Sequence, residues 1–325
     1  MPENFLIIQT AFVGDVILST ALVEKLRGKF PDAKISMLVR KGNEGLLENN
    51  PHLSEVLIWN KSKDKFNNLL KLVSEIRRRK FDHVINLQRF AATGFLTAFS
   101  GAKHKSGFRK NPFHFFFSES FDHAIGNGQH EIERNQKLIA SLTGDKAAKP
   151  RLFPSAADFK SVERFTGNKF YTISPGSVWF TKTLPREKWV ELCKRLNGTI
   201  YILGSPGEKE LGDRIVTETG LSTITNLSGR LSFLESTALM KSAVMNFVND
   251  SAPLHMAGAI NAPVTAFYCS TIPALGFGPL SDRSAIIETK ETLSCRPCGL
   301  HGHAKCPQSH FKCATTIDIS QIQLP

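Results

Sequence analysis

Asp250, Ser251 and His255 stand in a stretch, Asn246 to Tyr268 (NFVNDSAPLHMAGAINAPVTAFY), whose residue types suit the binding of an anion. Phe247 and Val248 end a strand, Asn249-Asp250-Ser251 supply turn and N-cap chemistry, Pro253 fits a first helical turn, and Leu254 to Ala259 continue the helix. Backbone N–H groups at such a helix start point outward and, with the helix dipole, attract a phosphate without a basic side chain. The plain alternative is that Asp250 and Ser251 only cap the helix. Upstream, Phe170 to Ser174 reads as a strand running into Pro175-Gly176-Ser177, and Lys182 follows six residues after Gly176. A lysine there can neutralise a diphosphate leaving group as charge develops on it. The spacing is not that of a Walker A loop. Glu208 follows the strand Ile200 to Leu203, where a carboxylate can accept hydrogen bonds from ribose hydroxyls or simply cap a helix. Near the start, Gly14 permits close backbone approach and Asp15 places a carboxylate at a helix start.

These residues need a scaffold that brings strand ends together. Phe5 to Thr10, Lys34 to Val39, Glu55 to Trp59 and Phe81 to Leu87 read as short apolar strands, separated by a glycine turn and helix (Val16 to Phe30), a short helix (Asn43 to Glu48) and an amphipathic helix (Phe66 to Lys80). Gln129 to Leu142 reads as one further helix, and Ala147 to Ala157 as a linker. The alternation predicts an α/β protein with doubly wound parallel sheets, whose ligands bind at the carboxyl ends of strands. A length of 325 residues fits two domains, expected at 1–155 and 156–325. His83 falls inside a strand and reads as a packed residue.

The net charge is +12, and residues 1–150 hold 23 Lys and Arg against 15 Asp and Glu, so +8 of it lies in the first half. That half is expected to face something acidic: a phosphorylated substrate, an anionic membrane or nucleic acid. The start lacks a cationic n-region, and its apolar runs are broken by Gln9, Thr10, Gly14 and Asp15. It reads as neither signal peptide nor membrane span, which points to the cytoplasm and reduced thiols.

Two clusters stand apart from the strand-end loops. Lys103 to Phe121 sets six basic or imidazole residues beside Phe113, Phe115, Phe116 and Phe117. Such a pattern could dock on lipid headgroups or single-stranded nucleic acid, but a strand with its Phe side chains buried is favoured here. Cys295, Cys298, Cys306 and Cys313, interleaved with His301, His303 and His310, have the composition of a structural zinc site; reduced thiols packed in a loop are the alternative. Cys193 and Cys269 read as core thiols.

Five segments in register, GDVILSTALVEKLRGKFPDAKISMLV, PGSVWFTKTLPREKW, ILGSPGE, NLSGRLSFLES and NDSAPLHMAGAINAPVTAFY, span nearly the whole chain. In them the chain resembles glycosyltransferase family 9, the bacterial lipopolysaccharide heptosyltransferases. The resemblance implies a GT-B fold, two Rossmann-like domains with parallel sheets facing across a cleft, the first binding acceptor and the second nucleotide sugar. It implies inverting transfer of a heptose from an ADP-heptose donor to an anionic, phosphorylated lipopolysaccharide core or lipid A acceptor, with no catalytic cofactor. Asp15 would be the general base and Lys182 the phosphate-stabilising cation. Donor contacts would come from Gly14, Gly176, Ser177, Glu208, Asp250, Ser251, Ala252 and His255. The enzyme would work in the cytoplasm with peripheral contact at the inner membrane face, and no nucleic-acid partner is expected. Two departures from the family pattern are Ala252, where glycine usually follows Asp-Ser, and Cys269-Ser270-Thr271 in place of Gly-Pro-Thr. The rival readings are a nucleotide-sugar epimerase, hydrolase or transferase with another donor, a zinc-containing nucleic-acid-binding protein, and a catalytically silent, membrane-associated scaffold.

Overall fold

The structure, a computed structural model, describes residues 3–61 and 65–324. The chain divides into two compact units, Met1–Phe153 and Pro154–Pro325. The first holds β1 (Asn4–Ile8), β2 (Lys34–Arg40), β3 (Glu55–Trp59), β4 (His83–Asn86), β5 (His104–Phe108) and β6 (Glu119–Phe121), in the order β3-β2-β1-β4-β5-β6. The second holds β7 (Phe170–Ser174), β8 (Thr199–Ile202), β9 (Ile224–Asn226), β10 (Met245–Asn249), β11 (Val264–Tyr268) and β12 (Ser284–Glu288), in the order β12-β11-β10-β7-β8-β9. Every strand pair is parallel. Each unit thus has the Rossmann order, and the strand order reverses beside β1 in the first sheet and beside β7 in the second. Asp15 and Lys182 stand in the first helical turns that follow those strands.

Central strands such as Ile7-Ile8 and Phe170 to Ser174 are buried from end to end, because helices on both faces of a parallel sheet exclude water from it. In the second unit Trp189 and Phe267 meet edge-on at 5.1 Å within a core that includes Cys193 and Cys269. His83 is packed as expected, stacked between Phe5 at 4.8 Å and His104 at 4.9 Å, with Nε2 3.1 Å from Glu3.

Three local expectations are corrected. Helix α1 (Val13–Lys29) begins at Val13, so Gly14 and Asp15 lie in its first turn and the preceding bend is made by Gln9 to Phe12. An acidic residue is well tolerated there, because the first-turn N–H groups favour negative charge. The helix expected at 129–142 is broken into Glu131–Gln136, a 3-10 turn at Lys137–Ile139, and Ala140–Thr143. The phenylalanine run does not form a buried strand: His114–Phe116 is a 3-10 turn that leaves Phe115 83% and Phe116 59% exposed. Among the described residues, no helix is long and apolar enough to cross a membrane.

Candidate active site

In the second unit, β7 and β10 are hydrogen-bonded neighbours, so the loops leaving their carboxyl ends start side by side. Lys182 closes a 3-10 turn (Phe180–Lys182) after β7, and Asp250 follows β10 directly. Lys182 Nζ lies 2.7 Å from Asp250 Oδ2. The same oxygen accepts a 2.6 Å hydrogen bond from the Thr271 hydroxyl. The site is therefore a lysine ammonium held by a buried, doubly engaged carboxylate.

Asn249 was assigned to turn chemistry but does more. It is fully buried at the end of β10, its Nδ2 donates to the carbonyls of Pro175 (2.8 Å) and Gly176 (3.3 Å), and its Oδ1 accepts from Leu184 N–H at 3.0 Å. One amide thus ties together both ends of the loop that carries Ser177 and Lys182, and ordering a loop in advance reduces the entropy lost when it binds. Helix α2 (Ala252–Ala259) begins beside this loop with Ser251 at N-cap, Ala252 at the first helical position and Pro253 in the first turn. The Ser251 side chain makes no cap hydrogen bond, so it does not play the plain capping role considered above. His255 is buried, its ring 6.3 Å from that of Phe277.

Of its two candidate roles, Glu208 takes the capping one here. Its Oε2 accepts from Ser205 N–H at 2.6 Å and from the Ser205 hydroxyl at 2.8 Å, closing a capping box on the turn Pro206–Glu208. Its Oε1 lies over Gly176, where a Cβ would stand 1.6 Å away, and a Cβ on Gly204 would stand 3.1 Å from Oε2. A side chain at position 176 would have to displace the Glu208 carboxylate.

In the first unit, Asp15 is half-buried in the first turn of α1. The bend before it is fixed from three sides: Ala11 N–H donates to Gln9 Oε1 (3.2 Å), Asn43 Nδ2 to Ala11 O (3.0 Å), and Lys61 Nζ to Thr10 O (3.0 Å). The carboxyl edge of this sheet is basic strand after strand. Arg40 ends β2 and Lys41 follows it, Lys61 follows β3, Arg89 follows β4, and Arg109 and Lys110 follow β5.

The four tail cysteines are free thiols. Burial, with the neighbouring thiols of Cys306, Cys295 and Cys298, pushes the Cys313 thiol up to about 11 against the nearby Arg296 charge. Cys295 Sγ lies 3.8 Å from His310 Nε2. Among the described residues, no group of three or more His, Cys, Asp or Glu side chains is placed to hold a metal ion.

Two Rossmann-ordered units, with a lysine–aspartate pair and a helix start at the switch point of the second, define a doubly wound α/β protein whose ligands are expected at the carboxyl ends of its strands. The family model for glycosyltransferase family 9 (heptosyltransferase) matches residues 69–304, and the chain belongs to that family. It is 28% identical over 275 residues to lipopolysaccharide heptosyltransferase 3 of Escherichia coli K12, covering 79% of this chain and 80% of that protein. It is 25% identical over 307 residues to the lipopolysaccharide core heptosyltransferase OpsX of Haemophilus influenzae, covering 89% and 85%. The fold is that of a family 9 glycosyltransferase from Veillonella parvula (TM-score 0.84, 19% identity, 98% and 94% covered). It is also that of E. coli ADP-heptose lps heptosyltransferase II (TM-score 0.77, 21% identity, 95% and 96% covered). The protein is thus a GT-B-type glycosyltransferase, and its family disfavours the epimerase, scaffold and nucleic-acid readings.

Proposed function

We propose that this enzyme transfers a heptose from ADP-heptose to an anionic lipopolysaccharide-core acceptor, with inversion at the sugar carbon. The observation that carries the reading is the Lys182–Asp250 pair, 2.7 Å apart beside the start of α2. A developing diphosphate is stabilised by a cation and by the positive end of a helix, and this corner sets Lys182 beside the start of α2. In the reaction an acceptor hydroxyl oxygen bonds to C1 of the heptose and its proton passes to Asp15. The C1–O bond to ADP breaks, and its electron pair stays on the ADP oxygen, whose charge Lys182 offsets. Asp250 orients Lys182. Gly14, Gly176, Ser177, Ser251, Ala252 and His255 contribute to the donor site, with Glu208 toward the nucleoside. No cofactor is assigned to the transfer itself.

The basic carboxyl edge of the first sheet supports a polyanionic acceptor, because Arg40, Lys41, Lys61, Arg89, Arg109 and Lys110 all lie at or just past strand ends there. Exposed Phe90, Phe99, Phe115 and Phe116, near Arg109 and Lys110 in sequence, support peripheral contact with the cytoplasmic face of an anionic membrane. Four thiols are a donor set that zinc favours, and a structural zinc on Cys295, Cys298, Cys306 and Cys313 belongs to the same reading. One zinc per chain, lost in Cys298→Ser, is the expected metal analysis; metal-free protein contradicts it.

Calorimetric titration with ADP, UDP and GDP tests the donor. Selective ADP binding, weakened in Lys182→Ala, is the expected result; preference for UDP or GDP changes the donor, and no binding removes the reading.

A further inference from the structure

Lys182 is held in place by a part of the chain far from it in sequence. The residue before it, Thr181, is 1% exposed and fully engaged. Its hydroxyl accepts from His303 N–H at 2.7 Å and pairs with the Ser270 hydroxyl at 3.1 Å. Its own N–H donates to His303 O at 3.1 Å, and its carbonyl accepts from Ser270 N–H at 3.2 Å. One residue further back, the Phe180 ring lies 4.9 Å from Phe311. Gly302, at φ +75°, passes so close that a Cβ there would stand 2.7 Å from Thr181 Oγ1 and 3.0 Å from Lys182 Cγ.

The same tail is anchored beneath the other half of the pair. Arg296 donates to the carbonyls of Cys269 (2.7 Å), Tyr268 (3.0 Å) and Thr271 (2.8 Å), and is paired with Glu288. Cys298 N–H donates to Ser270 O at 2.7 Å. Thr271 is the residue whose hydroxyl holds Asp250. Both members of the Lys182–Asp250 pair are therefore supported through the cysteine-rich segment.

We propose that residues 293–311 form a strap that sets the position of Lys182, with Thr181 as its positioning residue. The segment runs across the carboxyl end of β11, pins Ser270 and Thr271 through Arg296 and Cys298, and clamps Thr181 through His303. A lysine on an exposed 3-10 turn would otherwise lose the freedom of its long side chain only on binding, at a cost in affinity. The strap removes that cost beforehand. The use of Lys182 on a diphosphate rests on the function proposed above; the strap itself does not.

Four variants separate the possibilities. Thr181→Val keeps the shape and removes the hydroxyl; Thr181→Ser keeps the hydroxyl. Gly302→Ala presses a methyl group into Thr181 and Lys182. Gly299→Ala imposes comparable backbone strain (φ +71°) in the same segment, but its nearest neighbour is His303 Nε2 at 3.6 Å. Two readouts are taken on full-length protein whose thermal melt confirms folding. The first is the rate of Lys182 acetylation by acetic anhydride, read by peptide mass spectrometry. The second is calorimetric affinity for ADP and for AMP. Thr181→Val and Gly302→Ala are expected to speed Lys182 acetylation several-fold and to weaken ADP binding about tenfold with AMP binding little changed, since a charge-assisted contact to the second phosphate is lost. Thr181→Ser and Gly299→Ala should match the parent. Unchanged Lys182 acetylation in both Thr181→Val and Gly302→Ala overturns the strap. If acetylation rises as expected but the parent does not prefer ADP to AMP, the strap stands and the diphosphate role of Lys182 falls.

Discussion

Removing the Lys182 side chain should destabilise the second unit by way of Asp250. The two groups are 2.7 Å apart, with side chains 16% and 5% exposed. In Lys182→Ala, Asp250 stays buried and keeps the 2.6 Å hydrogen bond from the Thr271 hydroxyl while losing its ion-pair partner. Breaking a buried ion pair by deleting one partner costs about 3–5 kcal/mol. The partial exposure on the lysine side lets water replace some of what is lost, so about 2–3 kcal/mol is expected here. That is roughly a hundredfold change in the folding equilibrium. Adding Asp250→Asn removes the stranded charge, so the double variant should recover at least half of the loss. Urea unfolding followed by fluorescence, with Trp179 and Trp189 in the affected unit, measures both. A Lys182→Ala protein within about 0.5 kcal/mol of the parent, or a double variant less stable than the single one, refutes the reasoning.

Gly176→Ala should drive Glu208 out of its capping box, because the new Cβ would overlap Oε1; a loss of about 1 kcal/mol is expected in urea unfolding, with weaker ADP binding. Unchanged stability and binding would show that Glu208 is not held there. Glu131 supplies a pH prediction in the first unit. Burial alone would raise its pKa, but hydrogen bonds and charge from His123 and Arg134 outweigh this and hold it below the usual 4.5. Its contribution is present above pH 4.5 and lost as pH falls through the lower folded-state value. Acid unfolding of the parent should therefore begin below about pH 4.5, and Glu131→Gln should flatten that dependence; an identical acid transition in the variant contradicts this.

The parallel sheets are legible in the sequence because strands covered on both faces leave near-continuous apolar runs, as in Phe5 to Ile8 and Phe170 to Ser174. Lys182, Glu208 and Asp250 could each be found from their distance past a strand end. Their partners could not. The Lys182–Asp250 contact depends on β7 and β10 being neighbours, which strand order alone decides. Thr181 is held by His303 main-chain groups, and a backbone partner has no side-chain signature to read. Thr271, in the segment that departs from the family's Gly-Pro-Thr, keeps the final threonine and uses it on Asp250. The exposure of Phe115 and Phe116 is not legible in the sequence, because a run of adjacent aromatics has neither helical nor strand periodicity and its buried face cannot be assigned.

The most direct test of the transferase reading is mass spectrometry of a heptose-free lipopolysaccharide core incubated with ADP-heptose and either the parent enzyme or Asp15→Asn. The account predicts a gain of one heptose with matching ADP release, slowed at least about a hundredfold in Asp15→Asn while ADP affinity stays within a few-fold. No heptose gain with the parent, or full activity in Asp15→Asn, would contradict it.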